Sequence, residues 1–257
     1  MTPVSKRSSG LVASMIVRNE LRRFLPLAVS HLLTFCDEIR ILDDGSDDGT
    51  FEYLRDVPRV AITRNDGDRF FEHEGNARQR LLEWTMEAKP TYVLSIDADE
   101  FVGDPLCLAS AMQAGGQVYT LQMEEVWSLS DDHLNVRVDG HWGPRPCPIL
   151  WRAPDELNSF WRIPDRKLAC GREPQQVRQT RAKPSGSSVF HFGWARETER
   201  QARAERYFEH DQGKFHRNAH LQSILWPPEK VLLKSRSWPA GLAELQGEII
   251  SLSGGAT

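Results

Sequence analysis

Long apolar runs, paired cysteines and the glycine loops of common nucleotide-binding folds are all missing from this 257-residue chain. No stretch approaches the ~18 apolar residues that a membrane span requires. The polar residues Met1 to Gly10 lead straight into a strand-like run, so no signal peptide is read and a cytoplasmic protein is expected. Cys36, Cys107, Cys147 and Cys170 form no CxxC pair, which removes the usual zinc spacing. Four reduced, mostly buried thiols are expected, with a disulfide as the alternative. The absence of GxGxxG and of GxxxxGK[ST] argues against a dinucleotide fold and a P-loop enzyme. HExxH and GxSxG are also missing, and there is no internal repeat, coiled coil or low-complexity segment.

What is present suits a globular protein with a real core: 40% hydrophobic and 26% charged residues. The length fits one large domain, or one domain with an extended appendage. A formal charge of −4 argues against a bulk polyanion binder, but the total hides an asymmetry. Residues 1–150 hold 15 basic and 24 acidic residues, net −9; residues 151–257 hold 17 and 12, net +5. The two halves are expected to do different work.

Leu11–Val17 reads as a buried strand, and Glu20–Phe35 carries apolar residues at helical spacing. Strand Glu38–Leu42, helix Thr50–Arg55, strand Arg59–Thr63, helix Glu74–Met86 and strand Thr91–Ile96 follow. This alternation predicts an α/β fold, a mostly parallel Rossmann-like sheet flanked by helices. Ligands of such sheets bind beyond the carboxyl ends of the strands. Polar clusters fall at four of those ends: Arg18–Glu20, Asp43–Ser46, Arg64–Asp68 and Asp97–Glu100. After residue 115 the texture changes to a smaller antiparallel sheet. Strands are expected at Gln117–Leu129, Leu134–Val138, Pro148–Trp151 and Ser187–Phe192, with a turn at His141–Pro146 and a charged helix over Arg196–Asp211. Residues 10–115 and 116–225 are taken as two halves of one domain, and 226–257 as a partly ordered tail.

Asp97-Ala98-Asp99 is the sharpest chemical feature. Two carboxylates at i and i+2 past a strand end can share a hard divalent cation, Mg or Mn, that bridges to substrate phosphates. The bland reading is a helix-capping acidic turn. Asp43-Asp44-Gly45-Ser46 is a good turn by itself, or it places a carboxylate against a base or ribose. His191, before Phe192-Gly193-Trp194, is either a hydrogen-bonded core residue or a metal ligand. Arg78, near a helix start, suits a diphosphate or a solvated face. Trp142, in a Trp-rich middle segment, suits stacking on an acceptor or simple core filling.

Taken together, Val17-Arg18-Asn19-Glu20, Asp43 to Thr50, Arg64-Asn65, Gly75-Asn76-Ala77-Arg78 and Asp97-Ala98-Asp99-Glu100 resemble family 2 of the nucleotide-sugar glycosyltransferases, over roughly residues 10–103. The resemblance implies a GT-A fold, a UDP- or GDP-sugar donor, a divalent metal (Mn or Mg) and hexosyl-type transfer to an acceptor hydroxyl. It implies Arg18 and Glu20 near the base, Asp44 on base or ribose, Arg78 facing the donor, Asp97 on ribose or sugar, and Asp99 on the metal. His191 resembles the histidine that completes the metal site in many such enzymes. An inverting transfer, usual in that family, needs a carboxylate base. No Glu-Asp pair stands in the usual later position; Glu125, Asp155, Asp165 and Glu173 are the candidates, with Asp165 favoured for its Pro- and Arg-rich surroundings, and a retaining mechanism stays open. The competing readings are a degenerate GT-A module that binds without turnover and a phosphatase with Asp97 as nucleophile. Sugar, acceptor and oligomeric state are not legible.

Overall fold

The computed structural model describes residues 10–155, 171–211 and 222–254. Four parallel strands form one half: β1 (Leu11–Val17), β2 (Glu38–Asp43), β3 (Val60–Arg64) and β4 (Tyr92–Ser95), in the order β3-β2-β1-β4. β1, β2 and β4 are buried almost throughout, which is why each reads as a continuous apolar run rather than an alternation. Helices α1 (Leu25–Leu32), α2 (Thr50–Arg55) and α3 (Glu74–Met86) connect them. The expected α/β class is the one observed.

The other half is antiparallel in the main. β5 (Glu100–Val102) and α4 (Pro105–Gln113) lead to the long β6 (Val118–Leu129), β7 (His133–Arg137) and β8 (Arg145–Arg152). β8 runs antiparallel to both β6 and β4 and so joins the two halves. After the short α5 (Gln175–Arg178), β9 (Lys183–His191) lies between β5, antiparallel, and β6, parallel. α6 (Glu197–Asp211), β10 (Leu233–Ser237) and α7 (Gln246–Leu252) complete the described chain.

Several expectations shift for physical reasons. The helix expected over Glu20–Phe35 starts only at Leu25, with Pro26 in its first turn; the N–H groups of Glu20 and Leu21 instead donate to Thr50 Oγ1, at 3.1 and 3.0 Å. The turn expected at His141–Pro146 ends sooner, because β8 begins at Arg145. Pro146 and Pro148 are tolerated there since β4 pairs only with residues 150–152, leaving an edge beside the prolines. Residues 226–254, expected as a tail, add β10 to β7 and bury Leu242 and Ile249 against Phe24, Phe101 and Phe192.

That second cluster also explains His31, which is 3% exposed and packs edge-on to Phe35, with Nε2–H donating to the Val102 carbonyl at 2.9 Å. Burial pulls its pKa from 6.5 to about 4, against the Val102 bond. The unfolded chain therefore takes up a proton between about pH 6.5 and 4 that the folded chain refuses. This contribution is complete above pH 6.5 and is lost as pH falls to 4, on the order of 3 kcal/mol. In His31→Gln, which cannot ionise, urea-derived stability should fall between pH 7 and 4 by about 3 kcal/mol less than in the wild type. Parallel pH curves for the two proteins would contradict this account.

Candidate functional site

The carboxyl ends of β1, β2 and β4 open onto a cleft of ≈ 580 Å³. Arg18, Glu20, Asp44, Arg78, Asp97, Asp99, Trp142 and His191 all line it, as does Glu125. The residues singled out by sequence thus converge on one wall system, although Arg18 and His191 come from opposite ends of the chain. Asp165 lies outside the described residues. Asp155 and Glu173 do not line the cleft; Glu173 pairs with Arg178 at 3.3 Å.

The strand-end motifs are built largely as latches. Asn19 takes a left-handed φ of 55°, a conformation that Asn tolerates; its N–H donates to Ser46 Oγ at 3.0 Å and its Oδ1 accepts from Asp47 N–H at 2.9 Å. Asp43 accepts from Ser46 N–H and from Arg64. Asp44, 1% exposed, accepts from Asn65 Nδ2 at 2.7 Å on one oxygen and from Phe70 N–H at 3.0 Å on the other. Both oxygens retain lone pairs, so Asp44 is a fixed acceptor at the cleft wall. Gly45 takes a left-handed φ of 82°, a conformation that glycine adopts without the steric cost of a Cβ.

The centre of the cleft is His191. Register places it opposite Glu100 on β5 and opposite Glu125 on β6. Its Nδ1 meets Glu125 Oε2, and its Nε2 lies 3.4 Å from Asp99 Oδ2. All three side chains are buried. Burial disfavours the imidazolium, but Asp99 and Glu125 outweigh it and raise the His191 pKa to about 9. Conversely, burial pushes Glu125 up while His191 and Arg145 bring it down to about 2. Asp99, raised by burial, is held well below the carboxylate range by His191 and Arg203. Glu125, with His191 on one oxygen and Arg145 on the other at 2.6 Å, is a poor proton acceptor for a substrate.

Asp97 is paired with Arg172 at 2.9 Å, and Arg172 also bonds Glu100. Arg78 bonds Glu74 at 2.7 Å and lies over the Phe70 ring. Glu20 pairs with Arg23 at 2.6 Å; burial raises its pKa to about 7, opposed by Arg23 and helped by Asp99. Trp142 packs on Trp194 with ring centroids 4.7 Å apart.

Among the described residues, seven arginines and seven carboxylates line the cleft, and no lysine does. Arg23 and Arg145 were not singled out by sequence, while Arg172, Arg203 and Arg206 belong to the Arg-rich stretch Arg162–Arg206, which reads either as a face for an anionic acceptor or as a solvated helix face; nothing local shows which face of α6 turns inward.

The donor set suits a hard divalent ion. Two ligand atoms each about 2.1 Å from one cation stand roughly 3.0–3.4 Å apart, and Asp99 Oδ2 and His191 Nε2 are 3.4 Å apart. A carboxylate on the far ring nitrogen, here Glu125, is the usual support of a metal-binding histidine. No group of three or more His, Cys, Asp or Glu able to hold a metal is found among the described residues. Two protein ligands leave places for water and phosphate oxygens, the habit of Mg and Mn. Gly193 makes the room: a Cβ there would stand 2.3 Å from Asp99 Oδ2 and 2.7 Å from His191 Nε2.

No family model and no curated protein sequence matches the chain. Among solved structures, S. aureus TarS (residues 1–349) is similar at 15% identity over 84% of this chain and 69% of that one, TM-score 0.45. HddC from Yersinia pseudotuberculosis is similar at 11% identity over 80% and 99%, TM-score 0.41, and 4-diphosphocytidyl-2C-methyl-D-erythritol synthase at 17% over 56% and 75%, TM-score 0.37. These likenesses are loose, and the chemistry of the cleft is read from its own residues. No helix among the described residues is long and apolar enough to cross a membrane.

Gly193→Ala should destabilise the fold by about 1–3 kcal/mol in urea, since the new methyl must push apart two buried polar atoms. Gly247→Ala, in open space on α7, should be neutral or stabilising by up to ~1 kcal/mol. Equal effects at the two positions would remove the cradle role of Gly193.

Proposed function

We propose that the chain is a metal-assisted glycosyltransferase that takes a nucleoside-diphosphate sugar, with a UDP- or GDP-sugar as the first donors to test. One observation carries the reading: a carboxylate and an imidazole, Asp99 and His191, stand at metal-ligand separation in a cleft that also gathers the strand-end residues and unusually many arginines.

In this reading Asp99 and His191 hold Mn or Mg, which when bound neutralises charge on the departing diphosphate. Glu125 orients His191 and keeps its Nδ1 occupied, so that Nε2 faces the ligand. Arg78, whose guanidinium lies over Phe70 and bonds Glu74 through Nε, lines the cleft as the cation assigned to the donor's phosphates. Asp44 presents a fixed acceptor for an N–H or hydroxyl of the nucleoside, and Asp97, held by Arg172, faces the ribose or sugar. Arg18 and Glu20 complete the donor side, and Trp142 offers a ring to the acceptor. Developing charge is met by groups already in place, so little reorganisation is needed in the transition state. For an inverting transfer the base is assigned to Asp165, because Glu125 is committed on both oxygens and Asp155 and Glu173 are not among the residues lining the cleft. The phosphatase reading is disfavoured, since no lysine lines the cleft among the described residues and Asp97 is already paired.

UDP or GDP should raise the melting temperature only when Mn or Mg is present, and Asp99→Asn should abolish that shift. Absence of a shift with either nucleotide at any Mn concentration would sink the proposal. Slow Mn-dependent hydrolysis of a panel of sugar nucleotides would then identify the donor. Asp165→Asn should lower transfer about 10²–10⁴-fold and leave the Mn-dependent UDP or GDP shift intact; loss of both would make Asp165 a binding residue instead.

A further inference from the structure

Arg203 on α6 stands where a metal ion would be felt most strongly. Its Nη2 is 3.2 Å from Asp99 Oδ2 and its Nη1 is 3.2 Å from His191 Nε2. The guanidinium therefore straddles the two atoms assigned above to the metal. The three groups converge over Gly193, where a Cβ would also meet Arg203 Nη2 at 3.1 Å. Trp194, whose ring lies 5.4 Å from the guanidinium carbon, backs the side chain. Two cations cannot share this pair cheaply: a divalent ion ligated by Asp99 and His191 meets a fixed positive charge a few ångströms away in a buried setting.

We propose that Arg203 is the resident counter-cation of the Asp99–His191 pair, that it competes with the divalent ion for that pair, and that it passes to the donor's diphosphate when ion and donor bind together. The proposal rests on the reading of the cleft as a metal and nucleoside-diphosphate site. Two features supply the exchange. A guanidinium fits phosphate oxygens bidentately, so the incoming diphosphate offers Arg203 a partner as good as the one it leaves. Arg206, three residues further along α6, also lines the cleft, and burial together with Arg203 and Arg23 disfavours its charged form. Glu20 and Glu199 offset part of this repulsion, and an incoming anion offsets more of it. Metal and donor binding are then coupled through a single side chain: the ion binds weakly alone and firmly with the nucleotide, which keeps the empty cleft from being held by free metal.

The signature is a pair of effects of opposite sign. Mn binding to the donor-free protein, read from the EPR signal of free Mn, should be about tenfold tighter in Arg203→Gln than in the wild type. Binding of UDP or GDP at saturating Mn, read by calorimetry, should be about tenfold weaker in the same variant. If Arg203→Gln does not fold by circular dichroism, Arg203→Lys decides the matter: a lysine covers one of the two atoms, and Mn should bind several-fold tighter than in the wild type. Unchanged or weaker Mn binding in the variant, with wild-type Mn and nucleotide binding intact, overturns the role of Arg203 and leaves the proposed function standing. Failure of the wild type to bind Mn even with UDP or GDP present overturns both. Metal-independent nucleotide binding that is lost in Arg203→Gln also overturns the competition, because Arg203 would then replace the ion rather than yield to it.

Discussion

The contact on which the cleft depends is the buried imidazole of His191 held between two carboxylates, Asp99 and Glu125. Asp99 belongs to the turn after the last parallel strand, Glu125 to the long strand of the antiparallel half, and His191 to the end of β9. One side chain thus ties the two halves of the sheet together electrostatically where they meet. Removing either carboxylate would leave an unbalanced buried charge. The carboxylates are balanced by cations on both sides, Arg145 behind Glu125 and Arg203 in front of Asp99, while the Arg203 Nη1 contact and a bound metal alike use the lone pair of His191 Nε2.

The same economy runs through the cleft. Apart from Asp44, which is held by Asn65 and Phe70 N–H, the cleft carboxylates are matched by arginines: Glu20 with Arg23, Glu74 with Arg78, Asp97 and Glu100 with Arg172. Planar guanidinium groups suit this work, because they are weakly hydrated, stay charged when buried and bond two acceptors at once. A cleft wired in this way is charged yet nearly balanced, so an incoming anion and cation together disturb it less than either does alone. That property, more than any one residue, favours a ligand made of a diphosphate and a divalent ion.

The parallel half was close to legible from the chain alone. β1, β2 and β4 are buried on both faces, so they read as apolar runs, and α2 and α3 fall on the residues where helices are expected. The misjudged elements have tertiary causes. Leu21 is held by Asp48 and Thr50 rather than by a helix of its own, Pro146 and Pro148 survive in a strand because that stretch has one neighbour, and Leu242 and Ile249 look like tail residues until Phe24, Phe101 and Phe192, all distant in sequence, cover them. None of these partners is near in sequence.

What the sequence by itself determined was the class of fold and the strand-end positions of Arg18, Asp44, Asp97 and Asp99, because local periodicity and turn chemistry specify where strands stop, and parallel topology makes those stops share an edge. Its motifs also pointed to His191, through the aromatic segment that follows. Only the tertiary structure decided that Glu125 stands behind that histidine and Arg203 in front of it. Those neighbours depend on the register of β9 between β5 and β6 and on which face α6 turns inward. Both are set by long-range packing, and charged residues on a helix or a strand carry no local mark of the partner they will meet.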